Sequence, residues 1–137
     1  MVREYYTPVT DAEIEERFFK VLDRMTNYAR LMIALYLLRH RGYVSFREIA
    51  DFVFLDKPNY LLNRRRYYMK LYRAFYREKG GGKFIKRDNK IRLISNKTTK
   101  NAIASLLKKY LGINADIEEL DFAPIIEMDY EEGLIEG

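Results

Sequence analysis

Between Lys57 and Arg77 the chain carries seven cations and no carboxylate. Taken as a helix at about 100° per residue, this stretch gathers Asn59, Asn63, Arg66, Lys70, Arg73 and Arg77 within an arc of about 80°. Leu61, Tyr68, Leu71, Tyr72, Phe75 and Tyr76 fall opposite, within about 140°. One side is a stripe of hydrogen-bond donors and the other is an apolar face. An ordinary solvated helix mixes Glu with Lys and Arg to gain i,i+4 pairs; these cations instead repel one another until a polyanion neutralises them. A solubilising face is the plainer alternative. Arg holds guanine O6 and N7 in bidentate fashion, and Asn does the same with adenine N6 and N7. Lys70, Arg73 and Arg77 suit phosphate oxygens. Arg64 and Arg65 lie nearer the apolar side of the wheel, from which long stems reach outward to a flanking backbone.

A second group of cations follows. Lys83-Phe84-Ile85-Lys86-Arg87 and Lys90-Ile91-Arg92-Leu93-Ile94 flank Asp88-Asn89, residues that tolerate the left-handed backbone of a tight turn. Pairing Arg87 with Lys90 predicts a hairpin with Phe84, Lys86, Ile91 and Leu93 on one face and Ile85, Arg87, Lys90 and Arg92 on the other. Its basic tip suits phosphate contact, although exposed strands also carry Lys merely for protection. Ser45 and Arg47, at a helix start, are candidate backbone anchors. Tyr67, Tyr68, Tyr72 and Tyr76 interleave with the cations as in proteins that stack bases on aromatic rings. Three of them turn to the apolar side, which leaves Tyr67 as the exposed candidate.

Little in the sequence points to catalysis. His40 stands alone, a zinc site would need several His or Cys ligands, and there is no cysteine. Gly80-Gly81-Gly82-Lys83 lacks the spacing of a phosphate loop and precedes a strand, so it reads as a hinge. The expectation is a binding protein, not an enzyme, with no cofactor and no metal.

The elements that must position these groups are marked by caps. Thr10-Asp11-Ala12-Glu13 is a capping box after an arm over residues 1–9. It opens a helix expected to run to Arg39 and to stop near Gly42, with a break conceivable at Thr26-Asn27. Ile14, Phe18, Val21, Met25, Tyr28, Met32 and Leu35 form a heptad-like seam. Beyond Tyr28 the helix is apolar nearly all round and reads as buried. Ile14, Phe18, Val21 and Met25 either pack on the chain's own domain or join a second copy in a homodimer. Ser45-Phe46-Arg47-Glu48 opens a short helix with Phe46, Ile49, Ala50 and Val53 inward. Lys57-Pro58 starts the basic helix, expected over Asn59 to Lys79. A last helix is predicted from Thr98 to Leu111, stopped by Gly112.

Composition sets the frame. At 137 residues, 48% hydrophobic and 15% aromatic, the chain suits one folded domain. Its net charge of +5 is uneven. Residues 1–112 hold all 25 basic residues against 11 acidic ones, a balance of +14, whereas residues 113–137 hold nine acids and no base. So basic a body attracts polyanions. Met1 to Thr10 has no apolar leader-like core, and the longest apolar run is Leu31 to Leu38, so no membrane span and a cytoplasmic location are expected. The acidic segment has no clear periodicity, yet its acids alternate with large apolar residues. A solubilising tail, a segment docking on its own domain or on a protein partner, and a cover for the basic face all remain open.

Helix, short capped helix, turn, basic helix and basic hairpin, in that order over residues 27–94, resemble the winged-helix superfamily of helix-turn-helix proteins. That resemblance implies a mostly α fold with a small β-hairpin and with helical extensions at both ends of residues 10–112. It further implies that the helix after the turn enters the major groove of duplex DNA, placing Asn63 and Arg66 at base edges, with Arg65 reaching the flanking backbone and the hairpin on the backbone. The expected function is sequence-specific double-stranded DNA binding in transcriptional regulation. An RNA- or single-strand-binding accessory protein and a protein-interaction module are the alternatives.

Overall fold

The computed structural model describes residues 10–76, 83–115 and 124–128, with Tyr76 described by its backbone only. These residues are mostly helical, with a small four-stranded sheet. No helix among them is long and apolar enough to cross a membrane. The expected arm over residues 1–9 lies outside the described residues.

Helix α1 covers Asp11–Lys20 and begins at the predicted capping box. The Glu13 amide donates to the Thr10 hydroxyl oxygen at 3.1 Å, and the Thr10 amide donates to the Glu13 carboxylate at 2.9 Å. The long first helix expected from the seam is two helices. A 3-10 turn at Leu22–Arg24 separates α1 from α2, Asn27–Leu37. Thr26 causes the restart, because its hydroxyl accepts the Ala29 amide at 3.1 Å and so caps a new helix.

Every residue of α2 from Ala29 to Leu35 is buried, as its all-round apolarity requires. The helix packs against α1, against α3 (Phe46–Val53), against α4 (Arg64–Tyr76) and against α5 (Lys97–Leu111). Arg30, in the middle of this core helix, is only 2% exposed. Its guanidinium donates to both oxygens of Asp56, at 2.7 and 3.1 Å, and to the Val53 carbonyl at 2.8 Å. Burial of a charge is tolerable with a paired, bidentate partner of this kind.

The dimer seam is corrected by the same packing. Ile14, Phe18 and Met25 are buried within the single chain and Val21 is half-buried. Folding α1 back against α2 and α5 makes Ile14, Phe18 and Met25 core residues of the single chain and leaves only Val21 partly exposed.

Strand β1, Tyr43–Ser45, leads into α3, whose predicted capping box is present: the Glu48 amide donates to Ser45 Oγ at 3.0 Å. Strands β2, Phe84–Arg87, and β3, Lys90–Leu93, form the predicted hairpin in the predicted register, Arg87 opposite Lys90. Asp88 takes the left-handed conformation at φ 59 that the tight turn demands. Helix α5 ends at Gly112, also left-handed at φ 69.

The core does not end there. Ile113, Ile126 and Met128 are buried, and Ile125–Glu127 form a strand, β4. The sheet order is β1-β4-β3-β2, with β4 parallel to β1 and antiparallel to β3. The expectation of a tail without periodicity therefore fails at residues 124–128. Ile126 lies opposite Val44 on one side and Ile91 on the other, and burying three aliphatic side chains in one row holds the strand in place.

Candidate nucleic-acid interface

Helix α4 begins five residues later than predicted, at Arg64. Residues 57–63 instead run through successive tight turns, with Tyr60 N donating to Lys57 O at 3.1 Å and Asn63 N to Tyr60 O at 3.0 Å. The Asn63 side-chain amide donates to the Asn59 carbonyl at 3.1 Å. Asn competes in this way with helical bonding and favours turns. Asn59 and Asn63 therefore stand on the turn ahead of the helix.

The two sides of α4 separate as the wheel requires. Tyr68, Leu71, Ala74 and Phe75 are buried, while Arg65, Arg66 and Arg73 are exposed. Lys70 is half-buried, its ammonium 5.3 Å from the centre of the Tyr67 ring. Two assignments change. Tyr67 is half-buried, its ring 5.0 Å from that of Phe54 and 5.8 Å from that of Tyr60, so it is a packing residue and not an open stacking platform. Leu61, expected on the apolar side, is exposed, as is Leu62. Arg77 and the Gly80–Gly82 hinge lie outside the described residues.

The turn is fixed from beneath. Tyr60 is 5% exposed, and its hydroxyl donates to the Asp51 carboxylate in a short hydrogen bond. Burial first, then that bond, pushes the Tyr60 phenol well above its ordinary range.

The hairpin divides its cations between two directions. Phe84 shares a face with Lys86, Ile91 and Leu93, and its ring meets that of Phe75 in α4 at 4.8 Å. Lys86 escapes burial only at the tip. Arg87, Lys90 and Arg92 point to the opposite, solvent side of the sheet, because alternate residues face opposite ways. β4 extends that side, so Lys90 lies opposite Glu127 and Glu127 opposite Ser45. The outer side also carries Tyr43 and Ile85, both about half exposed. These two were absent from the sequence-based site.

Ser45 is not a free anchor. It is half-buried, and its oxygen accepts the Glu48 amide. Glu48 sits at the start of α3 and also pairs with Arg41 at 3.0 Å. A carboxylate thus already occupies the helix end where a phosphate would have to approach. Arg47 is exposed on the same turn.

The chain matches no family model, no curated protein and no solved structure.

Asn63, Arg65, Arg66, Lys70 and Arg73 form a continuous donor surface from the turn along α4. Lys86, Arg87 and Lys90 project at the hairpin tip. Among the described residues, no group of three or more His, Cys, Asp or Glu is placed to hold a metal ion, and His40 lies exposed beyond α2.

Proposed function

We propose that this protein binds double-stranded DNA as a winged-helix transcriptional regulator. The turn and first half of α4 enter the major groove, and the hairpin tip rests on the phosphate backbone. One observation carries the reading: the turn and the exposed side of α4 bear amides and cations without a single carboxylate from Lys57 to Tyr76, while the other side of α4 is core. A helix anchored through one face, with cations and no carboxylate of its own on the other, suits a polyanion. Asn63 and Arg66 supply the groups that distinguish adenine and guanine edges. Lys70, Arg73, Lys86, Arg87 and Lys90 supply phosphate contacts.

The solvent side of the sheet favours a second reading, single-strand binding. Ile85 lies beside Arg92 and Tyr43 stands on the same side of the sheet across β4, apolar surface with a cation on which unpaired bases stack.

Fluorescence anisotropy with labelled duplex and single strands, titrated across salt concentration, tests both. Tighter duplex binding whose log affinity falls steeply with log salt supports groove docking. Preference for the single strand supports the sheet, and flat, weak binding to both rejects nucleic acid as the ligand.

A further inference from the structure

Leu61 and Leu62 are the two most exposed large apolar side chains among the described residues, at 69% and 84%. They are held out by the structure around them. Tyr60 is pinned inward by Asp51 and by the rings of Phe54, Tyr67 and Tyr68, with centroids 6.0, 5.8 and 6.4 Å away. On the other flank the Asn63 side chain closes onto Asn59, and Leu62 N donates to Asn59 O at 3.2 Å. With residue 60 fixed inside and the chain turning tightly, residues 61 and 62 face solvent. Beside them Leu62, Asn63, Arg64, Arg65, Arg66 and Met69 line an open hollow.

The pair is an apolar tip set among cations, with no carboxylate between Lys57 and Tyr76. The complementary ligand presents apolar groups between rows of negative charge. In duplex DNA those groups are the thymine C5-methyls, which project into the major groove between the phosphate backbones. A tip already fixed in place loses little conformational freedom on binding.

We propose that Leu61 and Leu62 contact thymine methyl groups and give the protein a preference for thymine beside the bases met by Asn63 and Arg66. This rests on the duplex-binding reading of α4.

The test compares an alternating A·T duplex with its A·U counterpart, identical except for the missing methyls. The full chain is expected to bind the A·T duplex about fourfold more tightly for each methyl buried. L61A/L62A should bind the two alike, with an unchanged thermal melt because both side chains lie outside the core. Arg73→Ala, which removes a phosphate contact, should weaken both complexes while keeping their ratio. Equal, steeply salt-dependent affinity of the unaltered chain for both duplexes overturns the proposal and leaves duplex binding standing. A ratio that survives in L61A/L62A traces the preference to duplex shape and also overturns it. Absence of salt-dependent binding to either duplex overturns both readings. So does binding to anionic lipid vesicles, or self-association, that appears in place of duplex binding and is lost in L61A/L62A.

Discussion

Tyr60 donates its hydroxyl hydrogen to the Asp51 carboxylate, joining α3 to the turn ahead of α4. The bond holds in place the segment from which Asn63 and the α4 cations project. The Tyr60 phenol is raised in the folded chain above its unfolded value of about 10. Its neutral form is therefore favoured by folding. That contribution is fully present below about pH 10 and is lost as pH rises further, because the unfolded chain ionises first. Tyr60→Phe should cost about 1 kcal/mol at neutral pH through the lost hydrogen bond. Its stability should also fall less steeply above pH 10. Urea unfolding of both proteins from pH 8 to 11 checks this, and parallel pH curves would refute it.

The buried Arg30 makes a second prediction. Asp56→Ala leaves a guanidinium in the core without its carboxylate, which should cost about 3–5 kcal/mol. Arg30→Met combined with Asp56→Leu should recover most of that loss. Denaturant midpoints of the single and double variants measure the coupling. A double variant no more stable than Asp56→Ala would show that the pair is irreplaceable by apolar packing.

On the sheet, Ile126→Ala should lower stability by about 2–4 kcal/mol, since the side chain is buried against Val44 and Ile91. Its amides and those of β3 should exchange faster than those of α2 in hydrogen exchange. Unchanged β3 protection would mean that the hairpin does not depend on β4.

For the interface, Arg66→Ala and Arg73→Ala should differ in kind. Removing a phosphate contact at Arg73 should reduce the log–log salt slope by about 0.9 and weaken all duplexes alike. Removing Arg66 should flatten discrimination between sequences as well. Binding isotherms over a randomised duplex pool at several salt concentrations separate the two, and identical effects on sequence preference would contradict the assignment.

Much of this molecule is legible locally. Both capping boxes, the all-round burial of α2 and the hairpin register follow from residues within a few positions of one another. So does the two-sidedness of α4. What escaped depends on contacts distant in sequence or on competition within a turn. The seam runs on through Thr26-Asn27, so the break left open there is decided only by the Thr26 cap. Asn59 and Asn63 delay α4. Pro124, Ile126 and Met128 are buried at a period of two. That strand signal is three residues long amid acids, and its partners Val44 and Ile91 are far away in the chain. Arg30 is a single cation in an apolar run, and only the fold brings Asp56 to it. The cations of the hairpin and their division between two faces were readable from its register, but the strand that sets Glu127 opposite Lys90 was not.

That placement has a consequence for biosynthesis. β4, which lies between β1 and β3, is also the last of the described strands to be made. Until residue 128 has left the ribosome, two unpaired strand edges face each other across an empty lane. Open edges of that kind recruit other chains. A nascent or prematurely terminated copy lacking β4 would leave the edges of β1 and β3 open to other chains, and a short peptide carrying Pro124 to Met128 is the natural reagent to cap them.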